Sequence, residues 1–193
     1  MGRWEPGTRE RLERAALELF VEQGFAETTV PQITARAGLT TRTFFRHYAD
    51  KREVFFAGED EVLASVAGHL ATADLSDGAL PRLLADLPGV ALAMFGDRRE
   101  ELRLRRGLVA SDEGLAEREL RKRAALTATL QRGLRDHGVG REEAALAAGI
   151  TTALMHTAVQ AWLDGAEGTI DVVVRRTTSQ LVDQLAKSRT SLS

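Results

Sequence analysis

The side chains of this 193-residue chain best suited to recognition chemistry are concentrated in one stretch. Between positions 28 and 52, Arg36, Arg42, Arg46, Lys51 and Arg52 stand against a single acid, Asp50. That stretch carries +4 within a chain of formal net charge −2, which leaves −6 for the rest. Guanidinium groups can grip phosphate oxygens or donate two hydrogen bonds to a guanine edge, so a local excess of them suits a polyanion. The whole chain, with a pI of about 6.1, lacks the basic balance usual for a nucleic-acid binder. The charge is therefore informative only by position. Thr41, Arg42, Arg46 and His47 are the residues whose types and spacing could read or grip a duplex.

Short helices must hold them. Leu12, Ala15, Ala16, Leu19 and Phe20 recur with helical period and Gly24 supplies a stop, which predicts a first helix over 8–23. Thr29 with Gln32 makes a capping box, with Pro31 tolerated in the first turn, so a second helix runs from there to Gly38. Thr40 caps a third helix reaching Tyr48, and Asp50 with Glu53 caps a longer fourth. The second and third helices, joined by Ala37-Gly38-Leu39-Thr40, have the layout of a helix-turn-helix. In that motif the second helix enters the major groove. Val30, Ile33, Ala37, Leu39, Phe44 and Tyr48 are its expected apolar contacts. The outer face is left to Thr41, Arg42, Arg46 and His47.

Beyond residue 56 the pattern stays helical, with breaks at 74–78, 96–97, 111–114, 138–140 and 165–168. The expected fold is all-α: an N-terminal DNA-binding domain over 1–56 and a larger helical domain over 57–193, with the boundary inside the fourth helix near Ala57. The segment 141–164 is apolar on most of its circumference and needs burial on two sides. Ile170, Val173, Val174, Thr177, Leu181 and Leu185 share one side of the last helix. The mixed charges from Asp97 to Arg106 predict an exposed, ion-paired helix. His69 and His137 are expected in solvent, and His156 either against a cavity or in the core.

The sequence from 9 to 54, RERLERAALELFVEQGFAETTVPQITARAGLTTRTFFRHYADKREV, resembles the TetR family of one-component transcriptional regulators. The resemblance is carried by Ala16, Leu19-Phe20, Gly24-Phe25, Thr28-Thr29-Val30, Ile33, Ala37-Gly38 and Lys51, over about a quarter of the chain. The Thr-Phe-Phe-Arg-His-Tyr form of the third helix looks like that of actinobacterial members, including regulators resembling those of mycofactocin loci. Two positions depart from the family pattern. Arg42 stands where many members have glycine, and Phe45 where they have a tyrosine whose hydroxyl reaches phosphate. On this resemblance Thr41, Arg42 and His47 are expected at or beside base edges. Thr28, Thr29, Thr40, Thr43, Arg46, Tyr48 and Lys51 are expected to contact or position the backbone, with Tyr48 equally suited to the core. Arg3 and Trp4 are expected in a disordered start, with a minor-groove arm as the alternative.

The resemblance further implies a homodimer on a near-palindromic operator, joined through the last two helices, with Ile150, Leu154, Val174, Leu181 and Leu185 at the interface. It implies a repressor released by a small, largely apolar effector among the middle helices, near Leu87, Phe95, Leu108, Met155 and Trp162. An activator on the same fold, or a helical scaffold without salt-dependent DNA binding, are the competing classes.

The absence of cysteine excludes disulfides, thiolate metal sites and a thiol redox switch. No catalytic motif is present: neither a G-x-S-x-G elbow, a P-loop, a G-x-G-x-x-G turn, H-E-x-x-H nor an EF-hand loop occurs, so no enzyme, metal or cofactor is expected. No apolar run near 18–20 residues and no signal-peptide core are evident, which predicts a cytoplasmic protein without a membrane partner.

Overall fold

The computed structural model describes residues 7–191, with side chains through residue 187. These form ten helices: α1 (Thr8–Gln23), α2 (Val30–Ala37), α3 (Thr41–His47), α4 (Lys51–Phe55), α5 (Glu59–Ala71), α6 (Ala79–Phe95), α7 (Arg99–Ser111), α8 (Glu113–Asp136), α9 (Arg141–Leu163) and α10 (Ile170–Ser191). Arg3 and Trp4 lie outside the described residues.

The starts of the short helices follow their caps. The Thr29 hydroxyl accepts from Gln32 N while the Gln32 side chain accepts from Thr29 N, closing both halves of the box. The Thr40 hydroxyl accepts from Thr43 N, and the Asp50 carboxylate from Arg52 N and Glu53 N. Each such cap is worth about 1 kcal/mol. The turn between α2 and α3 rests on Gly38, whose φ of 65° is left-handed and would strain any side-chain-bearing residue. The expected long fourth helix does not form. Helix α4 ends after five residues at Phe55, and the chain turns through Gly58 before α5 begins.

Two compact units result. The first comprises the described residues of Met1–Val62 together with Arg103–Arg121. Its division from the rest thus falls at Val62, beyond the boundary suggested by sequence, and it recruits a second, distant segment. The reason is apolar: Leu108 and Leu115 join Leu12, Phe20, Phe25, Phe44, Val54 and Phe55 in one core. Phe20, Phe25 and Phe55 meet with ring centroids 5.0–6.2 Å apart. Arg105 donates to the Phe55 carbonyl at the end of α4 and lies 5.3 Å from that ring's centroid. It therefore closes a helix end, a role the expectation of a solvated charged face did not include.

The second unit comprises Leu63–Leu102 and the described residues of Lys122–Ser193. Here α6, α9 and α10 pack against one another around Leu87, Ala91, Leu154, Ala158, Trp162, Leu163, Ile170, Val173 and Val174. A second cluster gathers Leu70, Leu83, Leu130, Leu134, Ala144, Ala147 and Ala148. Arg99 donates to the carbonyls of Trp162 and Ala166 and sits 5.3 Å from the Trp162 ring centroid, closing the end of α9. His69 is paired with Asp86 at 2.9 Å and His137 with the Gly133 carbonyl at 3.0 Å, whereas His156 is exposed.

One expectation about apolar length needs correction. Helix α9, at 23 residues, is long and apolar enough to cross a bilayer. Its apolar surface is partly spent inside the unit, where Ala144, Ala147, Ala148, Thr151, Leu154, Ala158, Trp162 and Leu163 are buried.

Candidate nucleic-acid interface

Helix α3 is anchored from within. Phe44 is fully buried and meets Tyr48 at 5.7 Å between ring centroids, while Ile33 and Ala37 of α2 complete the contact. With Phe44 facing inward, helical geometry turns positions 42, 45 and 46 outward, and position 41 opens the first turn beside them. Thr41, Arg42, Phe45 and Arg46 are all exposed. Arg42 makes no ion pair or hydrogen bond among the described residues. Thr40 and Thr43 share a hydroxyl–hydroxyl contact of 2.9 Å at the helix start, and Thr43 is half-buried. Thr29 is exposed, but its hydroxyl also donates to Gln32.

Three of the residues expected to contact or position the backbone, Thr28, Tyr48 and Lys51, have internal partners. Thr28 is buried and its hydroxyl donates to the Gly24 carbonyl at 2.8 Å. The Tyr48 hydroxyl donates to Glu13 at 2.6 Å at the rim of the core, and burial pushes its pKa well above the ordinary phenol value. Lys51 Nζ donates to the carbonyls of Phe25, Ala26 and Thr28 at 2.7, 2.8 and 2.9 Å, and lies 4.6 Å from the Phe25 ring centroid. An ammonium has three donors, and these three carbonyls take them all. Lys51 thus ties the loop after α1 to the start of α4.

His47 is half-buried, with Nε2 shielded from solvent. Burial foremost, then the charges of Arg46 and Arg9, hold its pKa below the ordinary imidazole value. It stands at the edge of the outer face.

The +4 segment is consequently divided in use. Arg36 is spent on Glu22 through two bonds of 2.8 and 2.7 Å, and on Glu18 at 3.4 Å. Lys51 is spent on carbonyls. The outward charge of α3 comes from Arg42 and Arg46. Phe45, 55% exposed, shares this face and was missed as a contact by the sequence expectation, which weighed only its lost hydroxyl.

Among the other expected residues, Leu87, Phe95, Met155 and Trp162 pack into one apolar cluster of the second unit. Leu108 does not join them, because it belongs to the core of the first unit. Leu154 and Val174 are buried within the second unit, so they are not outward interface residues. Ile150 and Leu181 are half-buried and Leu185 is exposed. Leu146 and Val182, at 65% and 53% exposure, are outward apolar residues that the sequence expectation did not select.

The helix-turn-helix segment has counterparts among known proteins. Residues 13–57 match the family described as bacterial regulatory proteins, tetR family. The chain is 37% identical over 140 residues to the HTH-type transcriptional regulator TcmR of Streptomyces glaucescens, covering 56% of this chain and 61% of that protein. It is 34% identical over 74 residues to a Mycobacterium tuberculosis protein named as a candidate mycofactocin biosynthesis regulator, MftR, covering 38% of this chain and 37% of the other. The matches thus span about three fifths of the first relative and less of the second. Among solved structures, SmeT in complex with triclosan is 27% identical, with a TM-score of 0.52 over 83% of this chain and 80% of that one. SmeT is described as the repressor of the Stenotrophomonas maltophilia multidrug efflux pump SmeDEF. Residues 13–57 thus resemble the N-terminal helix-turn-helix domain of the TetR family of bacterial regulatory proteins, and the relatives matched beyond it are named as transcriptional regulators.

Proposed function

We propose that the protein is a homodimeric repressor that places α3 in successive major grooves of a near-palindromic operator and is released by a small, largely apolar ligand. The observation that carries this is the outer face of α3, where Arg42 is exposed and, among the described residues, unpaired, beside Thr41, Phe45 and Arg46, while Phe44 holds the opposite face in the core. One helix of seven residues touches too few bases to specify a site, so two copies, with recognition helices about 34–36 Å apart, are required. The exposed apolar residues Leu146 and Ala153 of α9, with Val182 and Leu185 of α10 and the half-buried Ile150 beside them, support dimerisation through those two helices.

Release follows if the ligand binds more tightly to the form whose helix spacing misses the two grooves; equal affinity for both forms would change nothing. SmeT, solved with triclosan, supports an apolar effector, and the cluster of Leu87, Phe95, Met155 and Trp162 is the surface that would repack around one. The likeness to MftR supports kinship in DNA recognition and indicates no effector.

The test is binding of the full chain to duplexes selected from random DNA, followed across salt concentrations. Affinity should fall steeply with salt. Arg42→Ala should cost about 1–3 kcal/mol on the selected sequence and much less on a scrambled one. Equal losses on both would remove Arg42 from base recognition, and an absence of salt-dependent binding would remove the function.

A further inference from the structure

Phe45 is the only exposed phenylalanine, tyrosine or tryptophan among the described residues. Its exposure is not that of a loosely held side chain. The ring stands edge-on to the buried Phe44, with centroids 5.5 Å apart and planes at 84°, and Phe44 is itself packed on Tyr48. Thr41 and Arg42 precede Phe45 by four and three positions, so both neighbour it on the helix surface, and Arg46 follows it. An apolar ring held in water at the centre of a polar and cationic face forgoes the stabilisation that burial would bring. A partner fitted to this face combines negative charge for the arginines with an apolar group for the ring. The charge argues against an apolar protein groove as that partner.

Duplex DNA has such a combination in its major groove, where phosphates flank the C5-methyl of thymine, the one apolar group among the base edges there. We infer that Phe45 is a specificity-determining residue that packs on a thymine C5-methyl in each half-site. The position that loses a phosphate-seeking hydroxyl thereby gains a base preference. Arg42 supplies the hydrogen-bonding part of recognition and Phe45 an apolar part that no hydrogen-bond pattern provides. The inference rests on the DNA-binding function proposed above and gives it a chemical preference.

The experiment uses the full chain and a duplex selected with it from a random pool. Thymines in one half-site are replaced singly by deoxyuridine, which removes the methyl and leaves every hydrogen-bonding atom in place. At one position the replacement should weaken wild-type binding about three- to fivefold, the equivalent of one buried methyl. Phe45→Ala should bind the thymine and uracil duplexes equally, whereas Arg42→Ala should keep the preference for thymine. Phe45→Leu, which retains an apolar side chain, should keep part of it. Because Phe45 is exposed, unchanged circular dichroism of Phe45→Ala is expected and checks that the fold is intact. Salt-dependent binding without any uracil effect, or with the same effect in Phe45→Ala, overturns this inference alone. Absence of salt-dependent binding to any duplex overturns the DNA-binding function and this inference with it.

Discussion

Helix α3 is seven residues long and leaves four of them exposed on one face, whereas α9 runs for 23 residues and buries eight. The two differ in what orients them. A capping hydroxyl begins α3 and a single buried ring, Phe44, fixes which side faces in. Helix α9 has no side-chain cap, and its alanine-rich surface is apolar nearly all round. Its orientation comes from packing against α6 and α10. A short helix with one large anchor has one possible inner face; a long apolar helix has several until its neighbours choose. Recognition surfaces can therefore be assigned residue by residue on α3, while on α9 the same attempt mixes core with surface.

The largest expected effect separates the two sides of α9. Leu154→Ala opens a cavity inside the second unit and should cost about 2–5 kcal/mol of stability, whereas Leu146→Ala should change monomer stability by less than about 0.5 kcal/mol. Leu146→Glu should instead produce monomers by sedimentation with near-normal circular dichroism. A stable dimer in that variant would remove α9 from the interface. Next in size is Lys51→Ala, which strands three carbonyls and should cost about 2 kcal/mol in urea unfolding. The slope of DNA affinity against salt should be unchanged in this variant, since Lys51 does not face outward. A slope shallower by about one unit would restore Lys51 as a phosphate contact.

How much of this was legible follows from the same contrast. The caps at Thr29, Thr40 and Asp50 and the buried positions of α1 to α3 are local facts, settled within four residues of chain, and sequence periodicity finds them. The roles of Lys51 and Arg105 are not local. Each reaches carbonyls 23 to 50 positions away, and a charge counted in sequence carries no mark of being spent on a backbone oxygen. Leu108 and Trp162 both sit on apolar stripes that sequence alone does not separate, yet the two stripes feed different cores. Leu154 lies on a helix apolar on most sides, which offers no signal to rank its faces, whereas Val174 lies on the apolar stripe of α10, which the unit's own core takes up. Phe45 is legible in part: neighbouring residues on a helix point about 100° apart, so with Phe44 inward Phe45 turns toward the outer face.

Acidification gives a smaller effect that distinguishes the two units. His47 in the first unit has its pKa held below the ordinary value of about 6.5, by burial first and by Arg46 and Arg9 second. The unfolded chain then binds the proton more readily than the folded one. The stabilisation linked to neutral His47 is complete above about pH 6.5 and is lost as pH falls through that value toward the folded pKa. Asp86 in the second unit behaves differently. Its burial opposes ionisation, but His69 and Arg82 outweigh it and hold the carboxyl below its ordinary range. Its contribution is complete above about pH 4 and is lost only as pH falls through the folded pKa. Hydrogen exchange between pH 7.5 and 5.5 should therefore show protection falling in α1 to α3 before α6 and α9. His47→Gln should flatten the decline in the first unit and leave the second unchanged. An identical decline in wild type and variant would show that His47 does not set the acid limit of the DNA-binding domain.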